Sequence, residues 1–143
     1  MAIWFREITA AELNQRAENT MSAFLDIVFT EVGPDYLVAT MPASPRTRQP
    51  LGIIHGGASV VLAESIASTA ANMVVDFDRY YCVGLEINAN HLRSVTEGVV
   101  TAVTRPVHLG RSTQVWTIEL SNQAGQPTCI SRMTVCVMTR KPA

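Results

Sequence analysis

The 143-residue sequence holds a single lysine, Lys141, against ten arginines, and only three cysteines, Cys82, Cys129 and Cys136. An odd, small set of thiols cannot close a disulfide framework, and the spacings match no zinc or CxxC pattern. Free thiols fit a reducing cytoplasm, which is the expected location. Charge is also scarce: Asp, Glu, Lys and Arg make up 16% of the chain, where about 25% is usual. A formal net charge of −1 leaves no global field to draw nucleic acid or an anionic membrane, so neither is an expected partner. No histidine spacing suggests a metal site, and no Ser-His-Asp or Cys-His nucleophile sits in a recognisable motif. The opening segment MAIWFREITAAEL is broken by Arg6, Glu7 and Glu12, so it does not read as a signal peptide. The longest apolar run, residues 58–75, contains Glu64, Ser65, Ser68, Thr69 and Asn72. Burying that carboxylate in lipid is costly, so the run reads as a buried helix of a soluble protein.

The length suits one domain, residues 1–143, with a core that needs no disulfide. The low charge fraction fits a surface partly covered between subunits. Thr9-Ala-Ala-Glu12 has the form of a capping box and predicts a short helix to Ala17, with a second turn starting at Asn19 or Thr20. Two β-rich runs, residues 27–32 and 36–41, flank the turn signal Gly33-Pro34-Asp35 and predict a hairpin. Residues 42–50 carry Pro42, Pro45 and Pro50 and predict a long surface connection. His55-Gly56-Gly57 then opens about eighteen helix-favouring residues that are apolar on nearly all sides, a pattern that predicts a helix buried all round. Four strand runs follow, with Asn122 to Gly125 turning between the last two. Short helix, two strands, one long buried helix and four strands predict an α+β fold in which an antiparallel sheet wraps around the central helix. This is the hotdog arrangement.

Glu64 is the most informative residue. A lone carboxylate among Val60, Val61, Leu62, Ala63, Ile66 and Ala67 is costly unless paired or put to use, and burial would make it a better base. The structural alternative is a thin polar face shared with Ser65 and Ser68. Ser68 lies four residues on and shares a face with Glu64, where its hydroxyl can hold the carboxylate or a water. At the mouth of the helix, the N–H groups of His55-Gly56-Gly57 lack intrahelical partners. The helix dipole there favours developing negative charge. Glycine also lets a carbonyl approach without a Cβ in the way. Together these make an oxyanion hole. Two further clusters, around Asn88-Ala-Asn90-His91-Leu-Arg93-Ser94 and Pro106-Val-His108-Leu-Gly110-Arg111-Ser112, each bring His, Arg and Ser to a strand end. Either suits phosphate, and either can equally be a solvated strand end.

The stretch from Gln49-Pro-Leu-Gly52 through His55-Gly56-Gly57 to Ala-Glu64-Ser65 resembles the signature of hotdog-fold acyl-CoA thioesterases of the phenylacetyl-CoA type. The closer resemblance is to the bacterial branch holding the 1,4-dihydroxy-2-naphthoyl-CoA thioesterase, with the enterobactin proofreading thioesterase as its near relative. The likeness extends through Gly84-Leu-Glu-Ile-Asn-Ala-Asn-His91 and His108-Leu-Gly110-Arg111 to the last strand. It implies Glu64 as nucleophile or general base, and Gly56 N–H as the donor that polarises the thioester carbonyl. It implies Gln49 and His55 as positioning groups for the acyl and carbonyl, and Ser68 as support for Glu64. Gly84, His91, Arg93, Ser94, His108, Gly110, Arg111 and Ser112 would line the coenzyme A path. The resemblance implies an acyl-CoA substrate with an aromatic acyl group and does not name which one; acyl carrier protein stays open as a second donor. No cofactor is implied beyond the coenzyme A of the substrate. Leu51, where close relatives carry Phe, and the loop over residues 76–81, which differs from theirs, bear on acyl specificity. The competing readings are a hotdog acyl-CoA hydratase or dehydratase and a non-catalytic acyl-CoA binding protein.

Distance predicts a homodimer, with a tetramer left open. Gly56 and Glu64 are eight positions apart, roughly 12 Å along one helix. That is too far for both to reach one thioester, whereas two antiparallel helices across a two-fold axis can supply one group each.

Overall fold

The computed structural model describes residues 1–141. Its elements in chain order are α1 (Ala10–Ala17), α2 (Met21–Phe24), β1 (Val28–Val32), β2 (Leu37–Pro42), α3 (Gly56–Val74), β3 (Tyr80–His91), β4 (Val99–Leu109), β5 (Thr113–Ser121) and β6 (Pro127–Thr139). The strands form one six-stranded sheet in the order β1-β2-β4-β5-β6-β3, and every neighbouring pair is antiparallel. The sheet curls around α3, as the element order predicts.

Local chemistry sets the element ends. The Thr9 hydroxyl accepts from Glu12 N–H and the Glu12 carboxylate accepts from Thr9 N–H, so the capping box is complete and α1 starts where expected. The turn at Gly33 closes with Gly33 N–H donating to Tyr36 O at 2.9 Å. At the β5–β6 turn Gly125 takes φ +74°, and Asn122 Oδ1 accepts from Ala124 and Gln126 N–H.

Alternate residues of β2, β4 and β5 face inward, as the two-residue period of a half-buried strand requires. Leu37, Met41, Val100, Trp116, Ile118 and Leu120 form the sheet side of the core. Trp116 is fully buried, and its indole N–H donates to the buried Gln114 Oε1 at 2.9 Å.

The burial expected for α3 is only half met. Leu62, Ala63, Ile66, Ala67 and Ala70 are buried against the sheet at helical spacing. The small alanines let the helix settle closely onto it. The opposite flank is open in the single chain: Gly57 and Glu64 are exposed, and Ser65, Ser68, Thr69 and Asn72 are half-buried. The thin polar face is therefore present. The reason is geometric, because one sheet can cover only one side of a helix. Among the described residues β3 is an edge strand, paired only with β6, and Val83 and Leu85 on it are exposed.

Asn72 fixes this edge to the helix. Its Oδ1 accepts from Cys82 N–H at 2.8 Å, and its Nδ2 donates to Cys82 O at 3.2 Å and Ser68 O at 2.9 Å. The clamp sets which residues of β3 lie across from Glu64.

Candidate active site

The segment entering α3 is tightly folded. Gln49 N–H donates to Ile53 O, Gly52 N–H to Gln49 O, and Leu51 N–H to Gln49 Oε1 at 2.7 Å. Gly52 takes φ +78°, which the tight turn requires. The side-chain oxygen of Gln49 is thus engaged, and its amide NH₂ is left to donate elsewhere. His55 is the N-cap of α3, and its Nδ1 accepts from Gly57 N–H at 2.8 Å. That bond holds the ring at the helix mouth. Gly56 N–H has no acceptor among the described residues, as the first position of a helix predicts.

A cavity of about 360 Å³ lies in front of this helix start. Gln49, Gly56, Ser59, His91, Arg93 and Ser94 line it, together with Thr128. His91 closes on Gly56: a Cβ placed on Gly56 would stand 2.9 Å from His91 Nε2. The chain after His91 is held by Leu92 N–H and Arg93 N–H, which donate to Thr128 O at 2.9 and 3.4 Å. The free Gly56 N–H, the positive end of the helix dipole and the Gln49 amide suit a carbonyl oxygen that gains negative charge.

Glu64 lies two turns further along α3, outside this cavity. Its neighbour across the groove is Gly84 on β3, where a Cβ would stand 3.0 Å from Glu64 Oε1. The strand is irregular there, with a register shift between Gly84 and Glu86. Gly84 is thus a packing partner of the carboxylate. Ser68 forms no hydrogen bond to Glu64 among the described residues; it lines a separate cavity with Ser65, Thr69, Leu13 and Arg16.

The second Arg-containing cluster is at the other end of the helix. Gly110 and Arg111 line a cavity with Val74 and Val75, at the end of α3. His108 folds over Gly110, where a Cβ would stand 2.5 Å from His108 Nε2, and Ser112 O accepts from Val137 N–H. Arg93 and Arg111 therefore line separate cavities near opposite ends of α3.

A buried thiol beside this architecture stays chemically quiet. Burial, with a smaller push from Cys136, raises the Cys82 thiol to about 11. No group of His, Cys, Asp and Glu among the described residues is arranged to hold a metal ion.

The thioesterase-superfamily model matches residues 51–129. The chain belongs to the thioesterase superfamily. It is 51% identical to the 1,4-dihydroxy-2-naphthoyl-CoA hydrolase of Escherichia coli, over 95% of this chain and 99% of that protein. A thioesterase from Pseudomonas aeruginosa, solved as a glutamine-to-alanine variant, superposes with a TM-score of 0.96 at 47% identity, covering 97% of this chain and 100% of that one. A thioesterase from Haemophilus influenzae gives a TM-score of 0.93 at 42% identity, covering 96% of this chain and 95% of that one. The chain is a thioester hydrolase with the hotdog fold of this superfamily.

Two residues of this thioesterase's cavity carried no role in the sequence. Ser59 is 9% exposed and Thr128 5% exposed, and both are polar. Ser59 lies three residues after Gly56, a spacing that puts it on the same helix face, so it was open to inference. Thr128 lies far along the chain on β6, and nothing local marks it.

Proposed function

We propose that this thioesterase hydrolyses an aromatic acyl-CoA to the free acid and coenzyme A, using Glu64 of one chain and Gly56 N–H of a second. The observation that carries the reading is the unpartnered Gly56 N–H, which opens into a cavity with Gln49 and His91. The E. coli relative is named for hydrolysis of an aromatic acyl-CoA, which supports the substrate class. A Staphylococcus aureus relative has been solved with a glutamate and, separately, a glutamine replaced by alanine. Those two positions are fifteen residues apart (47 − 32), as are Gln49 and Glu64 (64 − 49).

The carbonyl oxygen sits at Gly56 N–H, with the Gln49 amide and His55 positioning the carbonyl and acyl group. The Glu64 carboxylate either attacks the carbonyl carbon or takes a proton from the water that does. The tetrahedral intermediate places its negative charge at the helix start. The C–S bond then breaks, and the departing thiolate takes up a proton. With direct attack, water afterwards cleaves the acyl-Glu64 anhydride and restores the carboxylate.

The open flank of α3 and the exposed edge of β3 support a dimer. A second chain covering them would bring its own Gly56 near Glu64 and remove both from water.

The experiment is thiol release from purified protein supplied with benzoyl-, naphthoyl-type, acetyl- and palmitoyl-CoA and an acyl carrier protein thioester. We expect free thiol, with the highest kcat/KM on aromatic CoA thioesters. Change in enoyl absorbance without thiol release would indicate a hydratase. Intact thioester after hours, with binding, would indicate a non-catalytic binder. A clearly higher kcat/KM for palmitoyl-CoA would refute the aromatic assignment.

A further inference from the structure

His91 stands at the mouth of α3, and the reaction above gives it no task. The resemblance places it on the coenzyme A path, yet its ring packs against Gly56. A Cβ built on Gly56 would stand 2.9 Å from His91 Nε2, 3.3 Å from Cε1 and 3.4 Å from Cδ2. The imidazole thus fills the room that any other residue at position 56 would need, and Nε2 is its nearest atom. That Cβ position is about 2.5 Å from the Gly56 nitrogen, so Nε2 lies within about 5.4 Å of it. Two donors that close can both stand about 3 Å from one oxygen. Backbone on both sides holds the ring there. β3 pairs with β6 as far as His91, opposite Cys129, and Ser131 Oγ donates to Asn88 O at 2.7 Å. Beyond the ring, Leu92 N–H and Arg93 N–H are tied to Thr128 O. His55 commits its Nδ1 to Gly57 N–H, whereas neither ring nitrogen of His91 has a hydrogen-bond partner among the described residues.

We infer that His91 is a further oxyanion donor, its Nε2–H and the Gly56 N–H of the same chain closing on the carbonyl oxygen of the thioester. The inference rests on the thioesterase reading of Glu64 and Gly56. A tetrahedral oxyanion has three lone pairs, so it takes His91 alongside Gly56 N–H and the Gln49 amide. A neutral imidazole donates from one nitrogen and an imidazolium from both, so either form can carry the proton on Nε2. That proton stays on Nε2 throughout. The carbonyl π electrons move to oxygen as the nucleophile or water adds, and they return as the C–S bond breaks. The hydrogen bond is stronger to the oxyanion than to the ground-state carbonyl, so it lowers the barrier rather than merely tightening binding. Loss of His91 therefore acts on kcat. A contact to the phosphates of coenzyme A would act on KM instead, and would need the nucleotide. Gly56 and His91 lie on one chain, so this half of the site does not depend on how a second chain docks.

The test uses the full-length protein and its His91→Leu and His91→Gln variants; His91 is exposed, so neither change opens the core. His91→Leu should lose about 10²-fold in kcat, the usual cost of one oxyanion donor, with KM nearly unchanged. The loss should be equal on an aromatic acyl-CoA and on the matching acyl-pantetheine. His91→Gln, whose amide nitrogen can reach the place of Nε2, should fall between wild type and His91→Leu. A ketone analogue of the acyl-CoA, with CH₂ in place of the thioester sulfur and carbon-13 at the carbonyl, reads the hydrogen bond without turnover. At saturation its carbonyl stretch in the infrared should lie lower in wild type than in His91→Leu. A loss confined to KM on acyl-CoA and absent on acyl-pantetheine would overturn the inference and return His91 to the phosphates. The same carbonyl frequency in both proteins, or equal kcat losses in the leucine and glutamine variants, would also overturn it. If wild type hydrolyses no thioester, the reading of Glu64 fails, while the carbonyl frequency still decides the role of His91.

Discussion

Gly84 on β3 and Glu64 on α3 are fitted to each other: a Cβ on Gly84 would stand 3.0 Å from Glu64 Oε1 and 2.9 Å from Met133 Cε. The absent side chain leaves the space in which the carboxylate lies. Gly84→Ala should therefore push the carboxylate from its place while leaving the exposed strand edge intact. A displacement of about 1 Å at a reacting group costs on the order of 10²-fold in rate. We expect kcat for thioester hydrolysis to fall 10- to 100-fold, with melting temperature nearly unchanged. Wild-type kcat in folded Gly84→Ala would show that the contact does not position Glu64.

Thr128 offers a different kind of test. Its hydroxyl is buried and has no hydrogen-bond partner among the described residues, and Thr128 lines the cavity at Gly56. An unpaired buried hydroxyl costs about 1–3 kcal/mol, and a residue kept at that cost is explained by work in the site. Thr128→Val retains the shape and removes the hydroxyl. It should raise the melting temperature by about 4 °C and lower kcat/KM severalfold, as thermal denaturation and thiol-release assays can measure. A lower melting temperature would mean that the hydroxyl has a partner after all.

What was readable in the sequence was mostly local. Thr9 and Glu12 are three residues apart and announce their own cap. His55-Gly56-Gly57 marks the start of α3 because capping and an unpaired N–H depend only on neighbouring backbone. The antiparallel sheet around one central helix followed from strand count and patterning. The exposure of Glu64 did not, because the hydropathy of a helix does not say which side the sheet will occupy. Likewise His91 meets Gly56 through tertiary folding across 35 residues, so it read as part of a strand-end cluster. The two Arg clusters looked alike in sequence, yet the length of α3 separates them. Thr128 was illegible for the same reason, since a threonine at the start of a strand is unremarkable until the fold buries it.

The two-chain site predicts complementation. Glu64→Gln and a variant disabled at Gln49 and His55 should each be inactive, and subunit exchange should restore activity. If the two sides come from different chains, each mixed dimer has one intact site and one doubly damaged site. Random exchange then returns roughly a quarter of wild-type activity, measured by thiol release after native mass spectrometry has confirmed mixing. Mixed dimers without activity would place both groups in one chain.

The most direct measurement is single-turnover hydrolysis of an aromatic acyl-CoA by Glu64→Gln. The substitution keeps size and hydrogen-bonding shape but removes the group that acts as nucleophile or base. The predicted result is a rate reduced about 10³-fold or more, with undiminished binding of a non-hydrolysable acyl-CoA. Turnover near the wild-type rate in the folded variant would contradict the assignment of hydrolysis to Glu64.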